Sequence, residues 1–124
     1  MVSISDQEFQ ELVNAAMASL PREHVQQLEN VAILYEHDPS PQQRQELALR
    51  CNETLFGLYE GVPLSQRQGM QRILPDKITI FVNPICASVN TRAALQEQIR
   101  HTLWHEIAHY YGLDHPRIHE LESA

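Results

Sequence analysis

The chain has few of the features that mark membrane, secreted or disulfide-rich proteins. Its apolar residues never run for more than five positions without interruption, far short of the ~20 that a membrane-spanning helix needs. The first basic side chain is Arg22, so the N-terminus has no positively charged start of a secretion signal. The two cysteines, Cys51 and Cys86, are too few for a disulfide framework. We therefore expect a cytoplasmic protein in which both cysteines are small buried apolar residues.

Basic charge is also scarce. The chain has 9 lysines and arginines against 16 acidic residues, a net charge of −7, and it has no basic cluster. A surface of this sign repels a phosphate backbone, so we expect no nucleic-acid partner. Hydrophobic residues make up 43% of the sequence, which is more than a disordered chain carries. Because the 124 residues contain neither a repeat nor an obvious linker, we expect residues 1–124 to form a single domain.

Local signals predict three main helices. Ser5 and Glu8 form a capping box ahead of apolar residues at helical spacing. Ser40 followed by Pro41 is typical of a helix start. Gly112 stands where a helix commonly ends, because glycine adopts the left-handed conformation without steric cost. The predicted helices cover Asp6–Ser19, Pro41 to about Arg50, and Thr91 to about Tyr111.

Two apolar runs predict β-strands. Val31–Glu36 is a buried-type strand, and Lys77–Asn83 is a second one, which we expect Pro84 to end. Leu55–Glu60 is compatible with a short strand or with a turn of helix, since Gly57 weakens both assignments. Together with the helices, these segments predict an α+β fold with two or three short strands.

The histidines are concentrated in one part of the chain. Five of the seven lie in its last quarter, and three of these belong to the pattern HExxHxxGxxH. The pattern consists of His105, Glu106, His109, Gly112 and His115. In a chain with this composition, HExxH arises by chance about once in thirty sequences, and the full pattern about once in ten thousand. The pattern is therefore a strong functional signal.

The spacing of these residues suits a catalytic zinc site. His105 and His109 share one face of the predicted helix, so that both imidazoles can bind one Zn²⁺. Glu106 is rotated by about 100° from His105, which places its carboxylate beside the metal, where it can act as a general base. After the helix ends, the chain can turn back so that His115 becomes the third ligand. Three protein ligands leave the fourth position open, as in catalytic zinc sites.

Neighbouring residues leave alternatives open. Asp114 replaces His115 as the third ligand if the turn is one residue tighter. His101 lies one helical turn before His105 and is interpreted as a surface residue or a hydrogen-bond partner of a ligand, in preference to a fourth ligand. His119 is interpreted as solvent-exposed.

Beyond the zinc motif, the chain resembles the bacterial mini-zincins, which are zincin-like metallopeptidases. The resemblance covers nearly the whole chain. It is carried by Leu20-Pro21, Asn30–Ile33, Leu58–Leu64, Leu74–Phe81 and His101-Thr102, which leads into the motif. It implies a minimal zincin-like fold, in which the active-site helix packs on a small mixed β-sheet beside the other two main helices. It also implies zinc-dependent hydrolysis of a peptide or protein substrate.

The third ligand position distinguishes this chain from related groups. Mini-zincins commonly have aspartate there, whereas this chain has His115, and both residue types bind zinc. Metzincins share the histidine pattern but carry a methionine turn after it. Here all three methionines precede the motif, so we expect a zincin of another type.

The sequence therefore predicts a zinc metallopeptidase with His105, His109 and His115 as ligands and Glu106 as general base. We also expect the strand Lys77–Asn83 to lie along the cleft and to pair with an extended substrate backbone. Two alternatives remain, a zinc hydrolase acting on something other than a peptide, and a domain in which zinc only braces the structure.

Overall fold

The fold combines helices with a small β-sheet. The computed structural model describes residues 1–26, 28, 31–50, 56–61 and 76–112. In chain order, the elements in these ranges are α1 (Asp6–Ser19), α2 (Arg22–Gln26), β1 (Val31–Glu36), α3 (Pro41–Arg50), β2 (Gly57–Glu60), β3 (Asp76–Phe81), α4 (Val82–Ser88) and α5 (Arg92–Tyr110). The α+β class is confirmed, with α1, α3 and α5 as the three main helices. Of the helices in these ranges, none is both long and apolar enough to cross a membrane.

The three predicted main helices are present, and the residues that signal their starts form the expected caps. The capping box of α1 is formed: the Glu8 backbone N–H donates to Ser5 Oγ at 3.2 Å, and the Ser5 N–H donates back to the Glu8 carboxylate. Helix α5 starts one residue later than predicted, since Thr91 is its N-cap and accepts a hydrogen bond from the Ala94 N–H.

The sheet is mixed, and β3 lies at its centre. The strand order among the described residues is β1-β3-β2. β1 runs parallel to β3, with Ile33 opposite Ile78, and β2 runs antiparallel, with Tyr59 opposite the same Ile78. The ambiguous segment Leu55–Glu60 thus contains a strand. The prediction that the strand Lys77–Asn83 pairs with substrate is wrong, because neighbouring strands already occupy both edges of β3.

Strand β3 is shorter than predicted, because helix α4 follows it directly. The strand ends at Phe81, and Pro84 lies in the first turn of α4, where a missing N–H breaks no helical hydrogen bond. The Asn83 N–H of the same turn donates to the His37 carbonyl oxygen at 2.9 Å. That partner comes from the chain after β1, so the sequence around Pro84 does not reveal it.

One hydrophobic core joins the helices to one face of the sheet. α1 packs against α5, and α5 packs on β2 and β3. Alternation along β3 directs Ile78 and Ile80 to this face, where both are fully buried. Cys86 of α4 is buried, as predicted, whereas Cys51 lies outside the described residues. The large buried side chains of this core include Phe9, Tyr59, Ile85, Leu95, Ile99, Leu103, Ile107 and Tyr110.

Candidate metal centre

Helix α5 carries three histidines in one row along its surface. His101, His105 and His109 are spaced four residues apart, so each lies one turn after the previous one. The ring centroids of His105 and His109 are 4.7 Å apart, whereas those of His101 and His105 are 6.5 Å apart. His101 is exposed, His105 is buried and His109 is half-buried. The second and third histidines therefore form the close pair, and His101 lies at the surface, as expected.

The two paired imidazoles face each other through their Nε2 atoms, which are 3.1 Å apart. A tetrahedral zinc ion that lies about 2.0–2.1 Å from each of two nitrogens holds those nitrogens about 3.3 Å apart. The possible ligand atoms of His105, Glu106 and His109 all lie within 4.8 Å of one another, and no other group of this kind occurs among the residues that the structure describes. Imidazole nitrogen is also a preferred zinc donor. The geometry and the donor set therefore fit zinc.

Glu106 lies on a neighbouring face of α5, which is turned toward strand β2. The side chain is buried, with 7% exposed. Thr102, one turn earlier on the same face, is buried as well, and Gly57 of β2 packs against both. Glu106 is thus held between helix and strand, beside the histidine row and outside it, as expected for the residue that follows His105.

A buried tyrosine–aspartate pair lies further along the contact between β2 and α5. The Tyr59 O–H donates to Asp76 Oδ2 at 2.6 Å, and at most 2% of either residue is exposed. The Tyr59 ring meets the ring of Tyr110 edge to face, with centroids 6.2 Å apart. Since Tyr110 directly follows His109, this packing supports the last turn of α5. Sequence reasoning missed the pair, because only the pairing of β2 with β3 brings Tyr59 and Asp76 together.

The same helix end is also attached to α2, through the residue that follows Tyr110. The Tyr111 O–H donates to the backbone carbonyl of His24, and the His24 ring contacts the rings of Tyr111 and Trp104. Burial raises the pKa of the Tyr111 phenol, and the neighbouring Tyr110 adds to the increase. Tyr111 therefore stays protonated at neutral pH and acts as a hydrogen-bond donor that packs beside the site.

Helix α5 ends where the motif needs a change of direction. Gly112 has φ 83°, the left-handed conformation that glycine adopts without steric cost, as predicted. Its N–H donates to the His109 carbonyl at 2.9 Å. Both candidates for the third ligand, His115 and Asp114, lie outside the described residues, as does His119. Their positions in the site stay predictions.

Comparison with known protein families agrees with this geometry. A family model described as zincin-like metallopeptidase matches residues 28–124, more than three quarters of the chain. The matched part contains the three described strands of the sheet and the histidine pair of α5. No match is found among curated proteins. On the strength of the family match, the chain belongs to the zincin-like metallopeptidases.

Proposed function

We propose that this chain is a zinc-dependent peptidase that holds its metal with His105, His109 and His115 and uses Glu106 as its general base. The observation that carries the proposal is the pair of Nε2 atoms 3.1 Å apart beside a buried glutamate, in a chain of this family. Asp114 is the alternative third ligand. The proposed substrate is a peptide or an extended segment of a protein.

Each side chain has a distinct role in the proposed reaction. Zinc, when bound, supplies a Lewis acid that polarises the scissile carbonyl and makes water more acidic. The Glu106 carboxylate accepts a proton from the attacking water and then gives it to the nitrogen of the leaving amine. His105 and His109 bind through Nε2 and therefore act as neutral imidazoles. Glu106 lies beside their row on a neighbouring face of α5, which suits its carboxylate to proton transfer with the attacking water.

We expect the substrate backbone to lie along the edge strand β2 and not along the central strand β3. Among the described strands, β2 has β3 on one side only, and it packs on α5 next to Glu106. An extended peptide adds to such an edge by main-chain hydrogen bonds. Pairing with β2 would bring a peptide bond close to the face of α5 that carries the glutamate.

A comparison of the wild type with Glu106→Gln tests the proposal. Glutamine preserves the size of the side chain but cannot accept the proton. We expect about one zinc per chain in both proteins, digestion of a peptide library by the wild type, and a loss of roughly 10²–10⁴-fold in the variant. Zinc in both proteins with cleavage by neither would rule against a peptidase. Equal cleavage by both would refute the role of Glu106, and failure to bind metal under any loading condition would refute the site.

A further inference from the structure

Strand β2 and helix α5 approach each other very closely at Gly57. A Cβ atom on this residue would lie 2.7 Å from Cγ2 of Thr102 and 3.3 Å from Cγ of Glu106. It would also lie 3.3 Å from the backbone oxygen of Thr79. Carbon atoms pack at about 3.5–4.0 Å, so the contact with Thr102 leaves no room for any side chain at position 57.

Thr102 is not free to move away from this contact. It is 4% exposed, and its Oγ1 accepts a hydrogen bond from Gln98 Nε2 at 3.2 Å. A β-branched side chain has few rotamers in a helix, so this hydrogen bond holds the Cγ2 methyl in place toward Gly57. Glu106 follows Thr102 by four residues and lies on the same face.

Two residues further along the strand, bulky aromatic rings separate β2 from α5 instead of a glycine contact. There the edge-to-face rings of Tyr59 and Tyr110 fill the space. Thr102, Glu106 and Tyr110 are successive four-residue steps of α5, so Glu106 lies between the glycine contact and the tyrosine contact. Its side chain is therefore confined from both directions along the helix.

We propose that Gly57 is a positioning residue for Glu106, and that its contact with the Thr102 methyl fixes the place of the glutamate carboxylate relative to the histidine pair. The inference rests on the proposed function and adds a residue to it. A Cβ at position 57 would clash with the Thr102 methyl, and the shift of strand or helix that relieves this clash would displace Glu106, whose Cγ lies 3.3 Å from the same Cβ. His105 and His109 lie in another row of α5, so their mutual distance, and with it metal binding, is preserved.

A pair of variants tests the contact by rescue. Gly57→Ala introduces the clash, and Thr102→Ser removes the Cγ2 methyl while it keeps the hydroxyl that bonds Gln98. We expect G57A to retain one zinc per chain, to lose about 10–100-fold in kcat and to change little in KM, since small displacements of catalytic groups have effects of this size. The double variant should recover most of that loss. With the single T102S variant, the four proteins form a double-mutant cycle.

A third variant separates positioning from a general loss of stability. Val13→Ala shortens a buried side chain of α1 and destabilises the core, and Val13 is not among the residues nearest to Gly57. Its thermal unfolding midpoint is to be compared with that of G57A, and both are to be assayed well below those temperatures. A loss of kcat in V13A as large as in G57A would mean that stability explains the effect, and would overturn the proposal.

Crystal structures of the zinc-loaded variants give a readout that does not depend on activity. We expect the Glu106 carboxylate of G57A to move by about 0.5–1 Å relative to the two Nε2 atoms, and to return in the double variant. If the wild type cleaves no peptide, the proposed function fails, and a displaced and restored carboxylate still supports positioning by Gly57. If the wild type is active and G57A keeps both its carboxylate position and its kcat, the role of Gly57 is wrong and the proposed function stands.

Discussion

Three histidines share one row of α5, but they differ in how close they come to one another. His105 and His109 bring their Nε2 atoms to 3.1 Å, whereas the exposed His101 is one turn further from the pair. We predict that His109→Ala lowers zinc affinity by more than about 100-fold, because it removes a ligand, and that His101→Ala lowers it by less than about 10-fold. Competition with a chromophoric chelator measures both. Equal losses in the two variants would show that His101 binds the metal as well.

His37 contributes to the dependence of stability on pH. Its Nε2 atom lies 2.9 Å from Asp6 Oδ1 at the start of α1, and this hydrogen bond and the negative charge of Asp6 raise the pKa of His37, with a smaller effect from Asp38. A raised pKa stabilises the fold fully below the unfolded value of about 6.5, and the stabilisation is lost as the pH rises through the folded value.

The prediction for this residue concerns a difference between two proteins. Between pH 5.5 and pH 8, the unfolding midpoint of the wild type should fall by more than that of His37→Asn, because the variant lacks the titrating ring. The effect is small, since both partners are exposed and water screens the pair. The Asn83 N–H is bonded to the backbone of residue 37, so the substitution leaves this contact unchanged. Identical pH dependence in the two proteins would assign the effect to other groups.

At the scale of elements, the C-terminal end of α5 depends on a single glycine. Gly112 has φ 83°, where a Cβ atom clashes with the backbone, so Gly112→Ala should lower the free energy of unfolding by about 1 kcal/mol. Gly112→Asn is the matched control and should lose less, because asparagine tolerates this conformation better. Urea denaturation of the wild type and the two variants measures their free energies of unfolding. An alanine variant as stable as the wild type would mean that the end of α5 does not require the left-handed conformation at position 112.

The elements that could be predicted are those whose signals lie within a few residues. The capping box predicted the start of α1, and the serine–proline pair predicted the start of α3. The terminal glycine predicted the end of α5 to within one residue. Helix α4 was missed because Pro84 is typical of a strand end, while the His37 carbonyl that supports its first turn is distant in sequence. The central position of β3 could not be predicted either, since strand order depends on pairings between remote segments.

The same distinction applies to the candidate site. The histidine pair follows from helical spacing alone, so the sequence was sufficient to predict that His105 and His109 face each other. In the sequence, Gly57 indicates only that a strand or a helix is weakened at this position. Its close approach to Thr102 and Glu106 depends on how β2 packs against α5, which no local pattern contains.

At the scale of the whole molecule, the described core is made of apolar side chains. α1, α5 and the sheet share one cluster of buried hydrophobic residues, and the packing of these residues does not require the imidazoles of the histidine pair. We therefore predict that chelation abolishes peptidase activity but preserves most of the helical circular dichroism signal, and that added zinc restores activity. At a free zinc concentration about 100 times the Kd, bound metal adds roughly 2.7 kcal/mol to stability, so the unfolding midpoint should fall when zinc is removed.

His109→Ala supplies the control for this prediction, since a chain that has lost a ligand should show the same unfolding midpoint with and without chelator. If chelator lowered the unfolding midpoint of the variant as much as that of the wild type, the chelator would be acting elsewhere. Loss of the helical signal on chelation, with recovery on addition of zinc, would contradict the prediction and favour a metal that braces the structure, because a structural site ties folding to binding. Retention of structure with loss of turnover is the result expected for a catalytic ion held by a scaffold that folds without it.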